Sequence, residues 1–138
     1  MIGEIVVFKE LMQLYPETTR WVSGNAMQAN RTEQGDDSCG YDMCYRDENG
    51  NMQYVEVKAS HSEEIIFTLS DNELKFALQY PKNYEIFYVV LGEAGKSSHK
   101  VWRLGHLFDF ADGEELMHNS RFTVESKEYS ITAKPIQK

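Results

Sequence analysis

Two extended segments joined by a polar turn constrain this chain most. Gly40-Tyr41-Asp42-Met43-Cys44-Tyr45-Arg46 leads into Asp47-Glu48-Asn49-Gly50-Asn51, and Tyr54-Val55-Glu56-Val57-Lys58 follows. Side chains alternate along a strand, so cross-strand neighbours meet only when they share a face. A two-residue Asn49-Gly50 turn pairs Glu48 with Asn51 and sets Asp42 opposite Val57, which separates Asp42 from Glu56. A three-residue Glu48-Asn49-Gly50 loop, with Gly50 left-handed in a bulge, pairs Asp47 with Asn51 and sets Asp42 opposite Glu56. Asp42, Cys44 and Arg46 then share a face with Met52, Tyr54, Glu56, Lys58 and Ser60. Tyr41, Met43, Tyr45, Val55 and Val57 take the other. The three-residue loop is expected because it segregates polar from apolar residues better.

That register gathers two acids and a lysine, the set a metal-dependent phosphodiester hydrolase needs. Such a reaction uses a metal to polarise the phosphoryl oxygen and to lower the pKa of an attacking water. Mg²⁺ favours oxygen ligands. Asp42, Glu56 and the Val57 carbonyl are the expected ligands, with Mg²⁺ or Mn²⁺ as the cofactor. Lys58 would orient the water or neutralise charge on the phosphate. The triplet Glu-x-Lys is weak by itself, because Glu73-Leu74-Lys75 and Glu125-Ser126-Lys127 repeat it. Only the first has an acid on an adjacent, correctly paired strand. The competing reading is a solvated hairpin face with a cross-strand ion pair, which contributes ~0–1 kcal/mol.

Around the hairpin, Ile2 to Tyr15 has near-helical apolar spacing and Pro16 ends it. Glu4 sits at the start of that helix, where the dipole favours an acid in any case. Arg20 to Ser23 is a short strand candidate. The segment 24–39 is polar and longer than most connections, which marks functional or mobile loops. Ile65 to Leu69 reads as an extended approach to a helix opened by the capping box Ser70-Asp71-Asn72-Glu73 and stopped by Pro81. Tyr84 to Leu91 is continuously apolar except for Glu85, as a strand buried on both faces would be. Val101 to Leu104 is its expected hairpin partner. Leu107 to His118 suggests a short acidic helix, and Arg121–Glu125 and Tyr129–Thr132 suggest late strands. The order gives an α/β fold: a mixed sheet flanked by helices, with a C-terminal β extension.

The 138 residues suffice for one domain with a core, and a 41% hydrophobic content argues against disorder. The chain is expected to be one domain over 1–138, with its core over about 1–92 and an extension over 93–138. A helix starting almost at Met1 suggests a domain excised from a longer protein. No apolar run approaches the ~20 residues of a membrane span, no basic-then-apolar signal segment stands at Met1, and the two cysteines suit an intracellular chain, so a cytoplasmic or otherwise intracellular place is expected. Cys39 and Cys44 read as reduced thiols. The net charge of −8 weighs against a free-standing, non-specific nucleic-acid binder. Lys96, Lys100 and Arg103 lie in a stretch without acids and are the candidate phosphate contacts, against the alternative of a solvated hairpin tip. Trp21 and Trp102 suit packing more than base stacking. His61, His99, His106 and His118 show no metal-ligand spacing, although His61 follows the Glu56-x-Lys58 strand and would reach the site.

Taken together, Gly3-Glu4, Trp21-Val22-Ser23, Gly40-Tyr41-Asp42, Tyr54 to Ser60, Phe67 to Glu73 and Asn83 to Val89 resemble the PD-(D/E)xK nuclease superfamily. More narrowly, they resemble the domain named after the C-terminal region of the plant NO VEIN protein, which also occurs in bacterial defence- or restriction-associated proteins. The resemblance covers roughly residues 1–92. It implies a restriction-endonuclease-like α-β-β-β-α-β core and a Mg-dependent endonuclease acting on nucleic acid, with DNA as the expected substrate. It implies Glu4 as the helix acid near the metal, Asp42 and Glu56 as ligands and Lys58 as the catalytic lysine. Glu73 matches a recurrent acid for which capping is the simpler role. Tyr41 stands where the motif has proline. The acidic balance points to a partner domain or a homodimer for DNA contact. The alternative is a catalytically inactive nuclease-fold module that binds nucleic acid or a protein.

Overall fold

A computed structural model describes residues 2–23, 40–92, 98–125 and 130–134. The elements run α1 (Ile2–Leu14), β1 (Arg20–Trp21), β2 (Met43–Arg46), β3 (Met52–Ser60), β4 (Ile66–Thr68), α2 (Asp71–Gln79), β5 (Tyr84–Val90), β6 (Lys100–Gly105), β7 (Phe122–Glu125) and β8 (Ser130–Ala133). The main sheet has the order β1-β2-β3-β5-β6, and a smaller sheet has the order β4-β8-β7. β3 and β5 are parallel; the other pairings are antiparallel. Bringing two parallel strands side by side requires a crossover, and β4 with α2 supplies it.

The β2–β3 hairpin adopts the three-residue loop. Met43 pairs with Val55, Cys44 with Tyr54 and Arg46 with Met52. The Asp47 N–H donates to the Asn51 carbonyl at 3.0 Å, which carries the same register into the turn. Gly50 has φ +80°, the left-handed backbone that glycine adopts without a Cβ penalty. Asp47 accepts from the backbone N–H of both Asn49 and Asn51, each at 2.9 Å, and so fixes the turn.

Two apolar layers sandwich the main sheet. Val7 and Leu11 of α1 bury against Trp21, Met43, Tyr45, Val55, Val57, Phe87 and Val89. Leu74 and Ala77 of α2 bury on the other face with Tyr84, Ile86 and Tyr88, and the small sheet adds Phe67, Phe122 and Ile131. Every residue of β5 is buried, as its continuous apolar run requires when both faces are covered. Gly3 lets α1 lie directly on β3: a Cβ there would stand 2.7 Å from the Ala59 Cβ.

Three expectations need correction. Tyr41 is not on the α1 face. Its ring packs 4.8 Å from Tyr54 and 5.0 Å from Phe76, because regular alternation begins only at Met43. Leu107 to His118 forms turns with one Glu115–His118 bridge rather than a helix. Leu107 and Phe108 are both buried, the Phe108 ring packs tilted 5.5 Å from Phe122, and Gly113 has φ +82°. Consecutive buried residues and a left-handed turn do not suit a helix with one apolar face. Finally, Ile66–Thr68 is more than an approach to α2, since it pairs with β8 and ties the late strands to the core.

Candidate active site

β3 supplies Glu56 and Lys58 on one face, and the residue just before β2 supplies Asp42. The Val57 N–H donates to Asp42 Oδ2 at 2.8 Å, and the Asp42 N–H donates to the Val55 carbonyl at 2.8 Å. The Tyr84 hydroxyl donates to the Gly40 carbonyl at 3.0 Å, anchoring the chain where it enters this segment. Glu56 is buried, with 4% of its surface exposed. Lys58 Nζ lies 3.2 Å from Glu56 Oε2 and 3.1 Å from Glu73 Oε1.

Glu73 does two jobs. It completes the capping box of α2: its N–H donates to Ser70 Oγ, and its Oε1 accepts from the Ser70 N–H at 2.9 Å. The same Oε1 accepts from Lys58. The S-x-x-E pattern predicted the cap. Nothing in local spacing linked Glu73 to Lys58, because the contact exists only once α2 packs on the sheet.

Glu4 enters from α1. Its Oε1 accepts from Trp21 Nε1 at 2.9 Å and from Ser23 Oγ, and Ser23 Oγ also accepts from Trp21 Nε1 at 3.0 Å. Trp21 is therefore a packed residue that also holds an acid, a role its apolar bulk did not advertise.

The electrostatics mark the site as strained by charge. Burial, then the nearby Glu4 carboxylate, pushes Asp42 up to about 7, although the Val57 N–H and Lys58 oppose the shift. Burial and then Asp42 raise Glu56 well above the ordinary carboxylate range. Burial also disfavours the charge on Glu73, but the Glu56 carboxyl, the Ser70 N–H and Lys58 hold it below its usual value. Burial opposes the Lys58 charge too; Glu56 and Glu73 outweigh it and raise the ammonium. Neighbouring carboxyls with pKa values driven apart are a mark of acid–base sites.

Among the described residues, no group of three or more His, Cys, Asp and Glu side chains converges to hold a metal ion. The expected set of two carboxylates and the Val57 carbonyl asks for fewer side chains than that. Its chemistry fits a hard dication: two crowded, desolvated oxygen donors resist ionising alone, and a cation would relieve both.

The remaining candidates lie elsewhere. Lys96 falls outside the described residues, as does the 24–39 segment with Cys39. Lys100 Nζ sits 4.6 Å over the Trp102 ring and 3.9 Å from Glu63. Arg103 is on the α1 face, opposite to Glu56, where it pairs with the buried Glu85 at 2.8 Å and donates to the Tyr45 hydroxyl at 2.6 Å. Tyr45 in turn donates to Glu85. The single acid in the apolar run of β5 was the sequence signal for this network. His106 bonds Gln53 at 2.7 Å, and His61 is exposed in the bend after β3. No described helix is long and apolar enough to cross a membrane.

The profile of the family described as Protein NO VEIN, C-terminal, matches residues 3–104, and the chain belongs to that family. The match spans α1 through most of β6 and contains Glu4, Asp42, Glu56, Lys58 and Glu73. No curated protein and no solved structure matches the chain.

Proposed function

We propose that this member of the NO VEIN C-terminal family is a metal-dependent phosphodiester hydrolase of the PD-(D/E)xK type, acting on nucleic acid and on DNA first. One observation carries the reading. Asp42, just before β2, is held by the Val57 N–H of the paired β3 beside Glu56, with Lys58 3.2 Å from Glu56 and the charge of Glu4 acting on Asp42. The order α1-β1-β2-β3, then α2-β5, with β3 and β5 parallel, supports a restriction-endonuclease-like core.

In this reading Asp42 and Glu56 hold Mg²⁺ or Mn²⁺, with the Val57 carbonyl as a third donor. The bound ion supplies Lewis-acid polarisation and a more acidic water. The Val57 N–H orients the Asp42 carboxylate. Lys58 offers its ammonium to a phosphate oxygen as negative charge builds there. Glu73 fixes Lys58 from the helix side. A defence or restriction role, with a partner domain or a second copy aiding DNA contact, is consistent with the net charge of −8.

The test is cleavage of supercoiled, linear and single-stranded DNA and of RNA, in Mg²⁺, Mn²⁺ and EDTA, with wild type beside Lys58→Ala. Metal-dependent cutting that Lys58→Ala abolishes is the expected result. Equal cutting by a folded Glu56→Ala protein would sink the assignment, since a lost ligand should cost on the order of 10²–10⁴ in rate.

A second reading has its own observation: Lys58 is already engaged by the carboxyl groups of Glu56 and Glu73. A non-catalytic nuclease-like module that binds nucleic acid or a protein would keep this cluster for stability. Mg²⁺ or Mn²⁺ then leaves the melting temperature unchanged, whereas an occupied site raises it.

A further inference from the structure

The face of the main sheet that carries the carboxylates also carries a row of rings and cations leading up to them. By parity, Arg46 and Met52 occupy one rung of the β2–β3 ladder and Cys44 and Tyr54 the next; Asp42, just before β2, and Glu56, two residues on from Tyr54, lie beyond them. Arg20 on β1 pairs with Cys44 and so stands on the Tyr54 rung. Arg46 lies two rungs from Asp42, about 14 Å along the strand. Both arginines are exposed.

Their hydrogen-bond partners among the described residues leave charge available. Arg46 donates from Nη1 to the Gly50 carbonyl, and Arg20 from Nη1 to the Glu17 and Thr19 carbonyls. All are neutral acceptors, unlike the carboxylate that holds Arg103. The nearby acids of the hairpin are turned to other work. Asp47 closes the turn and contacts Gln53, while Glu48 accepts from Tyr15 of α1.

Rings flank this row. Tyr54 lies 5.6 Å from Tyr80 and 4.8 Å from Phe76, and Phe76 lies 4.8 Å from Tyr80. Tyr80, just past α2, keeps 38% of its surface exposed, and Tyr54 is half-buried. Exposed rings spaced among cations are the elements with which proteins hold unpaired nucleic acid: bases stack on rings, and phosphates meet arginines. A duplex hides its base faces and gains nothing from rings.

We propose that the surface formed by Arg20, Arg46, Tyr54 and Tyr80 is a track for an unpaired nucleic-acid strand, delivering its backbone to the Asp42–Glu56 site. The inference names a substrate class for the proposed activity and rests on the nucleic-acid reading of that site, although strand binding is measured without cleavage.

The experiment is fluorescence anisotropy in EDTA with the full chain and three end-labelled probes of one sequence, single-stranded DNA, single-stranded RNA and duplex DNA, beside a labelled uncharged peptide as control. Tighter binding of the single strands than of the duplex is expected, and the DNA and RNA arms show which sugar is preferred. Tyr80→Ala should weaken single-strand binding about 5- to 150-fold, the usual range for one stacked base, and leave duplex binding nearly unchanged. Tyr80→Phe should restore it. Arg20→Ala with Arg46→Ala should flatten the salt dependence of single-strand binding by about two phosphate contacts. Tyr80 is partly exposed, so its variants should fold, and melting curves check that they do. Duplex preference, or single-strand affinity unmoved in folded Tyr80→Ala and in the double arginine variant, overturns the track. Strand binding that follows these variants without metal-dependent cleavage leaves the track standing and removes the hydrolase. Cleavage with binding indifferent to Tyr80 and to the arginines does the reverse.

Discussion

Lys58 Nζ and Glu73 Oε1 stand 3.1 Å apart, and the same carboxylate oxygen caps α2 through the Ser70 N–H at 2.9 Å. The helix start and the charge of the lysine are therefore coupled through one atom. Glu73→Gln keeps a capping-box residue but removes the charge; Glu73→Ala removes both; Ser70→Ala removes half the cap. We expect Ser70→Ala to cost about 1 kcal/mol and Glu73→Ala to cost more. Glu73→Gln should keep the helix cap and let the Lys58 ammonium titrate lower. Thermal melts measure the first two effects, and NMR titration of the lysine Nζ measures the third. An unmoved lysine in Glu73→Gln would show that the contact carries no charge coupling.

Asp42→Asn tests the buried charge. The folded-state pKa of Asp42 is raised to about 7 from 3.8, so between those values the folded chain keeps a proton that the unfolded chain releases. Stability is thus full below the unfolded value and is lost as pH rises through the folded one. Asparagine preserves an acceptor for the Val57 N–H and carries no charge. In EDTA, the variant should match wild type near pH 4 and exceed it by pH 8, by on the order of 1–3 kcal/mol. Denaturant melts across that range check it, and a variant that is less stable at pH 8 would refute the direction. Mn²⁺ should then stabilise wild type and not Asp42→Asn.

Arg103→Ala should be among the more damaging substitutions outside the candidate site. It strands Glu85, whose side chain is 3% exposed, and strips a donor from the Tyr45 hydroxyl. Breaking a buried pair on one side costs about 3–5 kcal/mol, and the partial exposure of Arg103 places this case at or below the lower end. Removing both charges with Arg103→Met and Glu85→Leu should restore much of the loss. A chemical-denaturation double-mutant cycle measures the coupling, and additive losses would contradict it.

Gly50→Ala isolates the turn. A Cβ at Gly50 would meet no heavy atom within 4 Å, so sterics with neighbours play no part. The φ of +80° remains, and it should cost about 1–2 kcal/mol. Gly50→Asn should cost less, because asparagine tolerates the left-handed region. Equal stability of all three proteins would show that the loop changes its turn type.

The hairpin register, the capping box, the start and end of α1 and the buried β5 were all legible in the sequence. Each depends on neighbours in the chain: side-chain alternation, a left-handed glycine, an S-x-x-E pattern, an unbroken apolar run. The same local rules put Asp42 and Glu56 on adjacent segments of one hairpin. They did not show that Glu73 would reach Lys58, that Trp21 and Ser23 would hold Glu4, or that Arg103 would turn to Glu85 rather than to solvent. Those contacts join segments separated by 15 or more residues, and their geometry is set by how α1, α2 and β6 dock on the main sheet. The pairing of β4 with β8, across more than 60 residues, is of the same kind. Local rules could name the acids and the lysine. Only packing brought them into one low-dielectric place, where burial and mutual charge change what each can do.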